Sequence, residues 1–409
     1  MKLVLFHDDV ALLWTPFIET RPLGELLYGV RTLRERAARA LGAEAIGYLG
    51  APHLAGFDEP GSPPVLSAPP ADGDRVLLCA RAVLEPSAAA ALERVRGGAV
   101  TTLRVAGQSA GWMVPGGAAL PTDAAMRALR ADPGPPSVDL DGELLERPWH
   151  LMAGNAARVA ADAAAASRPH ATPAGAHVLG SHAVLLEEGA EVEPGVTIDV
   201  RGGPVWLGRK ARVEGPARLT GPLFVGAGST VLGGPVGLSS IGPVCKVRGE
   251  VTDSVINGYC NKAHDGHLGH AVLGRWVNLG AGTINSDLKN TYSSVRLRVP
   301  EGDVDTGLLK VGCFVGDHVK TGIGTLVNTG TVVGAASNLF GGRMPPLYVP
   351  PFSWGSGDDL IEYELDRFLA TAEAAMRRRE VEMSAGMRQV LARAAERGRS
   401  ERASRTRPS

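Results

Sequence analysis

Neither sign of charge is in excess in this chain: 42 Lys and Arg face 43 Asp and Glu over 409 residues, a formal net charge of -1. Without a one-sign field there is nothing to hold a phosphate backbone, so nucleic acid is excluded as a partner. Cysteine is scarce. Cys79, Cys245, Cys260 and Cys313 fall in no paired spacing, which excludes a zinc knuckle and a disulfide framework and leaves them as small packed hydrophobes. Long apolar runs are missing too. The opening MKLVLFHDDVALLW has neither the cleavage region of a signal peptide nor the roughly 18 apolar residues of a span, so the expectation is a cytoplasmic protein with no membrane partner. Lysine is rare, and all but Lys2 lie between Lys210 and Lys320. Lysine meets phosphate as a compact point charge; an anionic ligand in that half and chance clustering both account for the placement.

What the sequence has is a period of six. Aliphatic or small residues recur at every sixth position as Leu309, Val315, Thr321, Val327, Val333, as Leu207, Val213, Leu219, Val225, Val231, and as Val178, Val184, Ala190, Val196. Six matches neither a helix nor simple strand alternation. In the first of these runs the next residue is Gly316, Gly322, Asn328 or Gly334, which suits a turn of positive φ. One inward aliphatic and one turn residue per short unit is the signature of a parallel β-helix, whose stacked coils bury a continuous column. A sandwich would instead show turn signals every roughly 8 to 12 residues.

The array runs from about His177 to Gly342, and the chain divides accordingly into residues 1–170, 171–345 and 346–409. The first part reads as an α/β, Rossmann-like domain. Lys2 to Phe6 and Arg75 to Cys79 are apolar strand candidates, and Leu23 to Leu41 has helical periodicity with Leu26, Leu27, Val30, Leu33 and Ala37 on one face. Pro60 to Gly73 is a Pro-rich surface loop, Ala156 to Ala166 an alanine-rich helix, and SRPHATPAG the linker. Beyond the array comes a Pro-rich strap, then one α-helix from Asp358 to about Ala395, capped by Asp358 or Asp359, with Ile361, Leu365, Phe368, Leu369, Ala372 and Met376 on its apolar face. The last dozen residues, GRSERASRTRPS, are too polar to pack and read as a disordered tail.

TRPLGELLYGVRTLRER (Thr20 to Arg36) and RPWHLMAGNAARVAAD (Arg147 to Asp162) resemble a divergent branch of the sugar nucleotidyltransferases fused to a hexapeptide-repeat domain. The resemblance implies UTP and Mg²⁺ at the first domain. The chain departs from the better-known members, whose first strand leads into a Gly-rich, Arg-containing phosphate loop and a later strand into a metal-binding Asp. Here those strands run into HDDVALLW and into Ala80 and Arg81. His7, Asp8 and Asp9 are either replacement metal ligands or solvated charges at a strand end; Arg21 and Arg31 are either phosphate ligands or surface residues.

The centre of the array, HDGHLGHAVLGRWVNLGAGTINSDLKN from His264, resembles the acetyltransferase half of the bifunctional N-acetylglucosamine-1-phosphate uridyltransferase and glucosamine-1-phosphate acetyltransferase family, with VNLGAGT at Val277 to Thr283 close to its signature. That resemblance implies a left-handed β-helix, acetyl-CoA as co-substrate and an amino-sugar phosphate as substrate, with His264 as general base. It places Asn278 on the sugar phosphate and Ala281, with Gly280 and Gly282, on acetyl-CoA. It further implies a homotrimer with sites between chains. The segment after Thr283 breaks the rhythm where that family has an external loop. Departures bear on the substrate: His267 stands where the family has tyrosine and Thr252 where it has a phosphate-binding lysine, leaving Lys246, Arg248, Lys262 and Lys289 to replace the charge. With Arg21, the substrate-binding expectations are therefore Asn278, His267, Lys262 and Lys289.

His264, His267 and His270, spaced by three, invite a zinc reading of the gamma-type carbonic anhydrase kind. Equivalent places on successive faces point apart, so one coil cannot supply three ligands, and a zinc site shared across chains is the form this alternative takes. A non-catalytic nucleotide-sugar sensor is the other alternative.

Overall fold

The six-residue period builds a three-sided parallel β-helix, seen in a computed structural model that describes residues 1–70, 72–129, 136–166 and 169–405. Ser167 and Arg168 of the expected linker and residues 406–409 of the expected tail lie outside these. One face of the coil stacks strands from His177–Leu179 to Leu268–Gly269, a second from Val184–Leu186 to Tyr348–Val349, and a third from Glu191–Val192 to Asn261–Lys262. The third continues upward through Asn278 and Lys320 by single bridges. Leu207, Val213, Leu219, Val225 and Val231 fill the interior as the period requires. Leu309 does not. It is exposed, because it lies in the excursion between coils rather than in one.

The glycines that follow the inward residues serve a different purpose from the one expected. Positive φ falls two residues further on, at His318, Gly324, Gly330 and Ala336. Gly316 and Gly334 are instead sites of close approach: a Cβ would meet Ala335 N at 2.7 Å and Pro351 N at 2.4 Å in the coil above. Coil spacing, not turn conformation, demands glycine there.

On the second face the outward residues are apolar as well, as in Val205–Trp206–Leu207 and Leu223–Phe224–Val225. A strand apolar on both sides must be covered on both sides. The first domain supplies the cover, so that Val255, Val272, Phe314, Val332 and Tyr348 belong to its hydrophobic core. The hairpin Arg296–Val299 with Gly302–Asp305, inside the expected external loop, packs into the same core through Val295 and Leu297.

The first domain is a mixed six-stranded sheet in the order Glu44–Leu49, Lys2–Phe6, Arg75–Cys79, Gln108–Val114, Thr101–Val105, Ser137–Leu140. Its first three strands are parallel, and Gln108–Val114 runs antiparallel to both neighbours. The expected helix from Leu23 is shorter. It begins at Leu33, where Thr32 and Glu35 form a reciprocal capping box. Leu23–Glu25 is one 3-10 turn, and Leu27–Tyr28 pairs with Arg31–Thr32 around Gly29 at φ +67°. The alanine-rich helix is longer, Trp149–Ala164, and lies along the second face of the coil.

The two stretches that carry the nucleotidyltransferase resemblance meet here. Asn155 Oδ1 accepts from Gly29 N–H and from Ser240 Oγ of the coil, and Asn257 Oδ1 of the coil accepts from Leu27 N–H. Asp162 holds Arg36 and Val30 N–H. They are docking elements.

The C-terminal part also differs from expectation. Ser353–Ser356 and Asp359–Glu362 form a hairpin on the third face, which leaves Ile361 exposed and Asp359 in a strand rather than at a helix cap. Two helices follow, Leu365–Arg377 and Ala385–Arg405. Phe368, Leu369, Ala372, Leu391 and Ala394 join Phe352 and Tyr363 over the end of the coil. The second helix takes in most of the supposed tail: Arg399 pairs with Glu362, and Arg402 donates to Pro351 O. No helix among the described residues is long and apolar enough to cross a membrane.

Candidate functional site

One coil at this level is 17 residues long, since Asn261 bridges to Asn278. His264 and Ala281 are also 17 apart, so both fall at the corner between the third and first faces, one rung above the other. They share a shallow groove of about 470 Å³ with Arg248, Asp265, Gly266, Gly282 and Ile284. His264 is exposed in it, and its imidazole has no hydrogen-bond or ion-pair partner among the described residues. The backbone N–H of Ala281 is likewise uncommitted among the described residues.

The three corner levels are stapled together. Lys262 points into the coil, 3% exposed, and its Nζ donates to Arg248 O at 2.9 Å and to His264 O. Burial pulls its ammonium down to about 8. Gly282 N–H donates to Asp265 O at 3.2 Å, and Gly324 N–H to Ala281 O at 2.7 Å. The Lys262 ammonium is thus committed to main-chain carbonyls inside the coil. Arg248 is the cation that lines the groove, with Nε on Asp265.

Other residues singled out in the sequence lie elsewhere. Asn278 is around the corner on the third face, where its Oδ1 accepts from Asn261 Nδ2 at 2.9 Å. Gly280 stacks beneath Gly322, whose carbonyl carbon a Cβ would meet at 2.5 Å. His267 sits on the first face between Glu250, at 3.4 Å, and Asp287, at 3.7 Å; Asp287 also bonds His270 Nδ1 at 2.7 Å. Among the described residues no group of three or more His, Cys, Asp or Glu is arranged to hold a metal ion. Lys289 donates to Ser294 O inside its own loop.

Arg21 is not available to a phosphate. It is 1% exposed, with Nε on Asp317 and both terminal nitrogens on Glu59. Thr20 Oγ1 and Arg275 N–H complete the shell of Asp317, and Arg275 Nη1 that of Glu59. Arg31 points to Asp162 at 3.5 Å.

For His7 and Asp8 neither reading holds, whereas Asp9 is an exposed charge at the strand end. His7 is fully buried, donating from Nδ1 to Leu49 O at 2.9 Å and accepting Leu23 N–H on Nε2 at 3.0 Å. Burial pulls its pKa down to about 4, which keeps the ring neutral as that pattern requires. Asp8, 1% exposed, takes Nε and Nη2 of Arg81 and caps Ala11 N–H. An open α/β sheet binds ligands at the carboxyl ends of its strands. There a groove of about 460 Å³ is lined by His7, Gly50, Ser67, Asp123 and Arg127. Asp8 does not fit Mg²⁺, because both its oxygens are already bound to Arg81.

A second buried acid links the domains. Glu19 Oε2 accepts from Ala335 N–H at 2.7 Å, and burial pushes its carboxyl up to about 8 against the lowering pull of Arg397. Between its ordinary 4.5 and about 8 the folded protein keeps a proton that the unfolded chain has lost. Stability therefore falls as pH rises through that window. Glu19→Gln, which keeps the acceptor, is expected to remove this part of the slope, so that its melting temperature exceeds that of the wild type near about pH 8 and converges with it near about pH 5. Parallel curves for the two proteins would refute the assignment.

Residues 3–170 match the family model described as sugar nucleotidyl transferase. A bifunctional sugar-1-phosphate nucleotidylyltransferase/acetyltransferase of Sulfurisphaera tokodaii is 33% identical over 95 residues, 23% of this chain and 24% of that protein. The match thus spans about a quarter of that relative's length. The uncharacterized acetyltransferase YaiX of Escherichia coli is 25% identical over 159 residues, 38% of this chain and 69% of that one. Among solved structures, an Arabidopsis UDP-N-acetylglucosamine acyltransferase matches 48% of this chain and 74% of that chain, at 14% identity and a TM-score of 0.26.

Proposed function

We propose, from the premise that residues 3–170 are a sugar nucleotidyltransferase-family domain docked along a β-helix, that the protein is a cytoplasmic transferase of nucleotide-sugar biosynthesis. It moves an acetyl group from acetyl-CoA to the amino group of a hexosamine 1-phosphate. The observation that carries this reading is the shared groove of His264, Ala281 and Gly282.

The reaction asks for three things. An imidazole takes a proton from the attacking amine in the neutral range. The amine nitrogen bonds to the thioester carbonyl carbon, and the oxygen that gains charge meets the uncommitted N–H of Ala281. When the C–S bond breaks, the thiolate leaves with the proton that His264 carried, and the amide remains. The staples through Lys262 and Gly282 hold base and oxyanion donor in register before substrate arrives.

Within one chain this groove is open to solvent. Beside it Ile284, Ile323, Leu326 and Phe340 are exposed, and Ile284 pairs with Leu326 on adjacent rungs. An apolar margin beside a half-open site fits a second copy of the chain, and we assign the working unit as a homotrimer with sites between chains. For nucleotidyl transfer from UTP the first domain offers the groove at its strand ends. The test is release of thiol from acetyl-CoA over a panel of hexosamine 1-phosphates. Release that depends on the sugar is expected; no release with any member would overturn the acyl-transfer reading.

A further inference from the structure

Around the corner from the His264 groove, the third face meets the C-terminal end of the helix Leu365–Arg377 in a second groove of about 430 Å³. Lys246, Asn261, Asn278 and Lys320 occupy the same register on four successive rungs, with the two lysines at the outer ends of an asparagine pair. Rungs about 4.8 Å apart put roughly 14 Å of backbone between the lysine positions. Arg378 and Arg379 line the opposite side, and the stacked rings of Tyr259 and Trp276, 4.2 Å between centroids, form an apolar wall.

None of the four cations has a carboxylate partner among the described residues. By contrast Arg21, Arg36, Arg81 and Arg158 are each matched to acids. Lys320 is half-buried, and burial pulls its ammonium below the ordinary lysine value with no acid to restore it. Like charges converging on one concavity repel one another and focus a positive potential into it. An anion removes that repulsion and gains charge-assisted hydrogen bonds.

We propose that this groove binds an elongated phosphorylated ligand of the nucleoside-diphosphate class, with Lys246, Lys320, Arg378 and Arg379 around the diphosphate. A lone phosphate monoester engages one end of the lysine ladder; a diphosphate carried on a nucleoside spans it. Two sources share that chemistry, the nucleotide end of coenzyme A and a free nucleoside diphosphate. The inference does not depend on His264, because it concerns binding and not turnover.

Titration calorimetry on the full chain with coenzyme A, uridine diphosphate and inorganic pyrophosphate tests it. Lys246→Met removes an exposed side chain, and the double variant Arg378→Ala with Arg379→Ala removes one exposed and one half-buried side chain. None is paired with an acid among the described residues, so their melting curves should stay close to that of the wild type. Each is expected to weaken binding by about tenfold or more, with affinity that falls as salt rises. Tighter binding of coenzyme A than of uridine diphosphate identifies the acyl donor as the source, and the reverse order identifies a free nucleotide. If none of the three binds, or the variants bind as the wild type does, the proposal is overturned. His264→Ala should keep full binding here, so failure of the acetyl-transfer reading and failure of this one are read separately.

Discussion

Replacing His264 by alanine lowers the rate of acyl transfer by about 10²- to 10⁴-fold, the usual share of one positioned acid–base group, and leaves the melting curve where it was. The two halves of that expectation have separate grounds. The side chain is exposed and without a partner among the described residues, so its loss falls among surface substitutions worth within about 0.5 kcal/mol. Its main-chain carbonyl, held by Lys262, is kept in the variant, so the corner stays in place. Saturating both substrates and following thiol release isolates kcat from binding. A variant that turns over within about tenfold of the wild type would show that another group takes the proton, and His264 would lose its role. His264→Gln sharpens the result: it keeps a hydrogen-bonding side chain but cannot carry the proton, so it should be as slow as alanine.

The β-helix was legible because each rung repeats one demand, an inward residue at a fixed interval, and Val213 or Val225 announces it without help from the rest of the chain. Adjacent apolar pairs such as Trp206 and Leu207 also carried, unread, the message that the second face is covered on both sides. The corner that unites His264 with Ala281 follows from a 17-residue coil, a length visible only once Asn261 is known to bridge Asn278. Without it, nearness in sequence misleads: Asn278 is three residues from Ala281 and on another face. The capping box at Thr32 and Glu35 was written in the sequence and outweighed by the apolar periodicity before it. Asp8 and Arg81, or Arg21 and Asp317, could not be paired in advance. Each bond joins residues far apart in the chain, and no local pattern distinguishes a buried charge awaiting its partner from a solvated one. Local rules built the coil correctly, whereas the tertiary pairings decided which charged residues remain free for ligands.

Arg21→Met is expected to cost about 3 to 5 kcal/mol, the effect of removing one partner from a buried charge network, and to loosen the first domain from the coil. The guanidinium is the only group that bridges the two acids directly, Glu59 of the first domain and Asp317 of the coil, among the described residues. Without it Asp317 keeps Thr20 Oγ1 and Arg275 N–H, and Glu59 keeps Arg275. Each acid is then left in low dielectric with less compensation than its burial demands. Burial alone would push the Glu59 carboxyl up, yet Arg21 and Arg275 hold it down at about 2. That depressed value contributes stability above its ordinary 4.5 that is lost as pH falls toward about 2. The variant should therefore lose most at neutral pH and least in acid, and chemical denaturation at about pH 7 and about pH 4 measures both. Arg21→Lys is not a rescue, because an ammonium cannot reach both acids in the fork geometry of a guanidinium. The decisive comparison adds Glu59→Gln and Asp317→Asn to Arg21→Met. If stranded charge is the cause, neutralising both acids recovers part of the loss. A triple variant no more stable than Arg21→Met alone would mean that the arginine acts through packing against Phe57, and that the domains are held together by the apolar second face and not by the charges beside it.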